Sequence, residues 1–188
     1  LTNPTDSDTC TLTVRPAAGG LEMKTASDTA PGAGADVNPV ITTINRINGL
    51  YTTTIQLDIE GLKSKNADND IIGEAGGGPA YLTKIEESKM GRIWKIEMIC
   101  IEAPTTGEPD IDLIGSTAND LAYDDAEGTN TLYIDSDGDW TIGRMKDNLS
   151  IGTTSLNNQY VYLSVGTNTT PTEGVYGAGK YLIILHGA

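Results

Sequence analysis

The sequence predicts an all-β fold: an antiparallel β-sandwich, jelly-roll-like, with an extended N-terminal arm. Three observations carry that expectation. From residue 41 onward, short runs alternate apolar and polar residues, which is the period of a half-buried strand. Clusters of Asn, Asp, Gly and Pro separate the runs, as turns require. Phe is absent, so the bulky part of the core falls to Ile, Leu, Tyr and the two Trp, while abundant Thr suits a pleated surface. At 188 residues the chain can bury one real core without disulfides or metals.

Residues 1–40 are set apart by Pro4, Pro16, Pro31 and Pro39 and by the stretches "AAGG" and "APGAGAD". Pro and Gly at that density prevent regular pairing, and few apolar groups repay the ordering entropy. One strand-like piece, "CTLTVRP" at 10–16, interrupts an arm expected to order by contact with neighbouring subunits. The β-sandwich domain is expected over 41–188. In "YTTTIQLDIEG", Tyr51, Thr53, Ile55, Leu57 and Ile59 share one face; Thr52, Thr54, Gln56, Asp58 and Glu60 share the other. "KSKNADND" is a polar turn, and "PAYLTKIEES" alternates again through Tyr81, Thr83 and Ile85. In "GRIWKIEMICIEAP", Trp94, Ile96, Met98 and Cys100 take one face. Ile93, Ile99 and Ile101 share the other with Lys95 and Glu97, which predicts a strand covered on both sides. "DIDLIGS", "TLYIDS", "WTIGRM", "QYVYLSVG" and "KYLIILHG" complete a set of about nine strands. "TTINRING" and "STANDLAYDD" have weak helical spacing but are too short for helices.

The formal charge is -14. Phosphate backbones need clustered Lys and Arg, and the twelve basic residues here are scattered, so direct nucleic-acid binding is not expected. Anionic membrane surfaces are disfavoured for the same reason. No apolar run approaches ~18 residues, the length that spans a bilayer. The opening lacks the charged and apolar regions of a secretory leader, and a start at Leu1 admits trimming of a precursor. Two cysteines, Cys10 and Cys100, read as reduced and partly buried thiols, with a long-range disulfide as the alternative. No spacing suits zinc.

"DIIGEAGGGPAYLTKI" at 70–85 looks most like a phosphate loop. Gly73 and Gly76 to Gly78 are followed by Pro79 and a strand, with no Lys and no Ser or Thr in register and no helix to hold an anion. The glycines therefore read as a hinge. In "DSDGDWTIG", Asp135, Asp137 and Asp139 alternate around Gly138. The pattern reads first as an acidic Asp-Gly hairpin turn. Its alternative is a calcium site of those three carboxylates, although Gly138 lies between the second and third Asp rather than after the third as an EF-hand loop needs, and Gly143 and Arg144 stand near where the closing acid would fall. His186 is the only histidine; a dyad with Cys100 is the sole nucleophile arrangement it could join, because no GxSxG exists. Paired carboxylates for glycoside chemistry depend on separation in space, which sequence does not fix. Of the two sugar-stacking candidates, Trp94 reads as core and Trp140 as exposed beside the acidic turn. Asn148 and Asn168 open glycosylation sequons that matter in a protein secreted by a eukaryote.

Three stretches taken together carry a resemblance: "TTTIQLDIEGLKSKNADNDIIGEAGGGPAYLTKI", "IEAPTTGEPDIDLI" and "GVYGAGKYLIILHGA". The chain resembles, over roughly 48–188, small β-rich structural proteins of marine tailed phages, cyanophages among them. The resemblance implies a virion component: a capsid decoration, knob, or minor head or tail protein. It implies no catalytic residues, and capsid-shell proteins as partners. The expected function is thus a non-enzymatic virion structural protein, acting as a homo-oligomer with a trimer favoured. The alternative is an extracellular glycan-binding β-sandwich module, assisted by calcium.

Overall fold

The structure is a computed structural model. It describes residues 22–25, 30–35, 38, 40–126, 128, 130–149 and 155–188. In chain order its elements are β1 (Glu22–Thr25), β2 (Ile41–Ile47), β3 (Leu50–Asp58), β4 (Lys63–Ser64), β5 (Thr83–Lys84), α1 (Glu87–Met90) and β6 (Ile93–Thr105). There follow β7 (Ile111–Ser116), β8 (Thr131–Ile134), β9 (Met145–Asn148), β10 (Tyr160–Val165), β11 (Gly174–Val175) and β12 (Ala178–Gly187). A six-stranded sheet in the order β1-β2-β3-β12-β6-β9 packs on a four-stranded sheet in the order β5-β10-β7-β8; β11 and β4 form a small third ribbon. Every pairing is antiparallel, so the all-β sandwich expected from the sequence is the observed architecture.

Period two explains the core. Thr53, Ile55 and Leu57 of β3, Ile96, Met98 and Cys100 of β6, and Tyr181, Ile183 and Leu185 of β12 point inward and are buried. They meet Ile111, Leu113, Tyr133, Val161, Leu163 and Val165 from the smaller sheet. β2 and β3 join through Asn48 and Gly49, both at positive φ, the Asn-Gly chemistry of a tight hairpin. "TTINRING" is therefore strand and turn, and its weak helical spacing has no structural counterpart.

The two sheets differ in what covers their outer faces. Ile114 and Tyr162, outward on β7 and β10, are buried under Ile71 and Ala80. Loop residues around 70–82 and 121–126 lie over them, tied down by the Ile72 N–H to Leu163 O (3.0 Å) and the Ala80 N–H to Leu121 O (2.8 Å). β7 and β10 are thus the strands buried on both sides. β6, expected to be so, is open outward, with Ile101 53% exposed.

One irregularity overturns an expected face. Along the β12–β6 ladder, His186 pairs with Lys95 and Gly187 with Ile93, so Trp94 is the extra residue of a bulge. A one-residue slip reverses inward and outward. Ile93 is buried, and Trp94, expected in the core, is 42% exposed. Trp140, expected at the surface, is the reverse. It lies in the turn before β9, is 2% exposed, and donates its indole N–H to Ile111 O at 2.7 Å. "WTIGRM" is that turn, and the strand starts only at Met145.

Two described pieces of the expected arm join the domain. β1 pairs with β2 at the edge of the larger sheet. Residues 32–35 thread beside the glycine cluster: Gly32 N–H bonds Tyr81 O, Gly34 N–H bonds Pro79 O, each at 2.8 Å, and Glu74 N–H bonds Gly34 O at 2.7 Å. Ala35 is buried in the core. Small residues were read as arm, but here they serve close backbone approach. Cys10 and "CTLTVRP" lie outside the described residues. A Cβ on Gly34 would fall 2.3 Å from Gly78 O, which is backbone and has no side-chain freedom to yield. Gly34→Ala is therefore expected to cost about 1–3 kcal/mol, as overpacking does. Denaturant unfolding midpoints measure it; an unchanged midpoint would return residues 30–35 to the arm.

Candidate functional site

The acidic turn is organised from inside. Asp135, Asp137 and Asp139 are exposed, and Ser136 between them is buried. The Arg144 guanidinium reaches under the turn and donates to the carbonyls of Ser136, Asp137, Gly138 and Asp139. It also lies over the Trp140 ring, 5.6 Å from its centroid. A fixed cation therefore already occupies the position from which these carbonyls are satisfied. Two of the three carboxylates, those of Asp135 and Asp137, have partners elsewhere. Asp135 Oδ1 accepts from the Asp137 N–H (2.8 Å) and Asn168 Nδ2 (2.9 Å), and Asp137 pairs with Lys146 at 3.3 Å. Among the described residues, no group of three or more His, Cys, Asp or Glu side chains is placed to hold a metal ion.

Sequence reasoning missed the carboxylates beneath. Glu108, Asp110 and Asp112 are buried. Glu108 accepts from the Asp110 N–H (3.0 Å), Thr169 Oγ1 (2.8 Å) and the Thr172 N–H (2.6 Å). Asp110 accepts from the Asn168 N–H at 2.8 Å, the Gly138 N–H at 3.3 Å, and Ser136 Oγ. Asp112 Oδ1 accepts from the Ser136 N–H and lies 2.8 Å from Ser136 Oγ. These acids pin two loops, 135–139 and 168–172, to the end of the smaller sheet. The available signal was "EPDID" beside loops rich in Ser, Asn and Thr, the donors such acids need.

Ser136 has one hydroxyl proton for two carboxylates, so Asp110 and Asp112 cannot both receive it fully. Burial, the largest influence, pushes the Asp112 carboxyl above its ordinary range, although both hydrogen bonds from Ser136 pull it down.

The other sequence candidates separate in space. His186 points outward from β12, where its Nε2 lies 3.1 Å from Glu97 Oε2 and its ring 5.5 Å from Trp94. Cys100 points inward on β6, and burial raises its thiol away from the reactive thiolate. The two occupy opposite faces of one sheet, so no dyad forms. Gly76 and Gly78 adopt positive φ in a turn whose Gly77 N–H bonds Glu74 O (3.0 Å), while Glu74 N–H bonds Gly34 O. Those amides face protein carbonyls, as a turn requires and a phosphate cradle does not. The sequon amides donate internally, Asn148 Nδ2 to Tyr133 O and Asn168 Nδ2 to Asp135.

Among the described residues, nothing lies over the outer face of the six-stranded sheet. Ladder partners place Ile41, Gln56, Leu182, Ile99 and Met145 in one row across five strands. Ile41 is 50% and Met145 55% exposed, and Ile99 and Leu182 are half-buried. Ion pairs flank the row: Lys180 with Asp58 (3.6 Å) and Glu102 (2.6 Å) on one side, Lys95 with Glu97 and Asp147 (3.4 Å) on the other. No family model, no curated protein and no solved structure matches this chain.

Two outcomes follow from the loop chemistry. Arg144→Ala removes a charged donor from four carbonyls and is expected to cost about 2 kcal/mol, seen as a lower melting temperature that added calcium does not restore. The raised Asp112 contributes stability that is fully present below the unfolded carboxyl value of about 3.9 and is lost as pH rises through its folded value. Asp112→Asn is therefore expected to flatten that decline and raise the melting temperature at neutral pH. Melts across the acidic to neutral range measure both.

Proposed function

We propose that this chain is a non-enzymatic structural subunit that works by packing against other subunits. Its setting is the one the resemblance implies, a tailed-phage particle, as a capsid decoration, knob, or minor head or tail component. One observation carries the assembly reading: the row Ile41–Gln56–Leu182–Ile99–Met145, apolar at all positions but Gln56, on a sheet face that no described residue covers. At about 4.8 Å between strands, five strands give a row of roughly 19 Å. The same molecule covers the outward apolar residues of its other sheet with its own loops. A monomer would gain by the same cover here, and contiguous exposed apolar surface is the usual mark of a contact site. The two flanking lysines offset half of the four carboxylates they bridge, leaving -2 of the chain's -14 in those groups, which lowers the repulsion between copies that meet there.

The partners this reading requires are further copies of the chain, a trimer being the expected state, and a capsid-shell protein. The glycan-binding alternative, as first drawn on Trp140, loses its platform because that indole is buried.

Light scattering on a size-exclusion column at low micromolar concentration is the direct test. The expected result is a closed oligomer. Ile41→Lys with Met145→Lys should convert it to monomer while changing fold stability by less than about 1 kcal/mol, since both side chains are exposed. A wild-type monomer at all concentrations would defeat the homo-oligomer, and an oligomer unchanged in the double variant would move the interface elsewhere.

A further inference from the structure

We propose that Trp94, with Lys95, Glu97, Asp147 and His186, forms a surface site for neutral polysaccharide, stacking the apolar face of one pyranose ring on the indole. The starting point is the bulge. It takes Trp94 out of a strand whose inward positions are Ile96, Met98 and Cys100 and turns it to solvent. Bulges commonly re-aim a side chain at a site. The indole is also held in place: the His186 ring packs against it with centroids 5.5 Å apart and planes tilted by 43°. A fixed, half-exposed indole is the surface that the C–H groups of a sugar ring favour, because the aromatic face carries partial negative charge.

Beside the ring stands an ordered set of polar groups. Glu97 bridges Lys95 and His186, with Nε2 at 3.1 Å, and Lys95 reaches on to Asp147 at 3.4 Å. Lys95 first, then His186, hold the Glu97 carboxyl below its usual range, so it stays an acceptor. Asp147 is 41% exposed. Sugar hydroxyls both donate and accept, and a carboxylate–ammonium pair answers both needs without a charged ligand. Polar groups already fixed by one another lose little freedom on binding.

The charge and shape choose the ligand class. A chain of -14 repels sulfated, uronic or phosphorylated chains and nucleic acid alike. The site is an open strip on a sheet, suited to internal units of a polymer. Its indole lies five residues along β6 from Ile99, roughly 16 Å at strand rise, while Glu97 and Asp147 stand one outward position from Ile99 and Met145, so the site borders the apolar row and its stacking platform stands clear of it.

Affinity electrophoresis of the full chain tests the site, in native gels containing mixed-linkage β-glucan, xylan, α-mannan or, as the charged control, a sulfated galactan. Retardation by at least one neutral polymer is expected. Trp94→Ala should reduce it tenfold or more, and Asp147→Ala severalfold, each with an unchanged circular dichroism spectrum. Ile41→Lys alone, at the opposite end of the row on β2, should be retarded like wild type relative to a gel without polymer, which separates this site from the assembly face. If Trp94→Ala does not fold, Asp147→Ala and the quenching of exposed indole fluorescence by the retarding polymer decide in its place. Migration unaffected by every neutral polymer overturns the proposal. So does retardation by the sulfated polymer alone, or retardation that survives both substitutions.

Discussion

The register of β12 between β3 and β6 is the constraint on which the rest depends. This strand, last in the chain, pairs with β3 on one side and β6 on the other and closes the centre of the larger sheet. Its alternation assigns two jobs at once. Tyr181, Ile183 and Leu185 go to the core, and Leu182, Ile184 and His186 go to the outer face. A slip of one residue would exchange the two sets and bury an imidazole in place of Leu185. The core and the candidate surfaces are consequences of one ladder, so neither could be altered by register without the other.

How much of this was legible follows from how local each signal is. β3 and its inward Ile55 and Leu57 could be read because alternation over nine residues has no competing period. Trp94 could not, since a bulge changes parity without changing composition; its evidence lies in the pairing of Gly187 with Ile93, nearly a hundred residues apart. Trp140 stands next to an Asp-Gly turn, and turns are usually at the surface, but Ile111 offers its indole an acceptor from another strand. Residues 30–35 look like linker because Gly and Ala carry little apolar area, yet the same smallness lets Gly34 sit against Gly78. The calcium candidates were visible as three alternating acids. That an arginine five residues beyond Asp139 gathers the carbonyls around them was not, because guanidinium geometry is a three-dimensional property.

The buried acids show the same limit from the energetic side. Composition says that Asp and Glu stay outside, and for Glu108, Asp110 and Asp112 that rule fails. It fails where hydrogen-bond donors are dense enough to replace water: three for Glu108 and three for Asp110 among the described groups. Asp112 is the less well served member, with Ser136 its donor among the described residues, and burial is the largest influence on its titration. The cluster therefore ties two loops, 135–139 and 168–172, to the end of the smaller sheet.

Three lysines among the described residues act as bridges. Lys65 lies between Asp124 and Glu173, Lys95 between Glu97 and Asp147, and Lys180 between Asp58 and Glu102. Exposed pairs of this kind add little stability. Their effect is on where the surface is charged. Two of the three bridges stand on the outer face of the six-stranded sheet, on either side of the apolar row, where two lysines offset half of four carboxylates and the bridged groups carry -2 of the chain's -14. A solution of like-charged molecules then has one broad direction of approach that long-range repulsion opposes less. Trp94 stands at the far end of that face, beyond the bulge, so its indole is clear of the row while Glu97 and Asp147 form the border between the two surfaces.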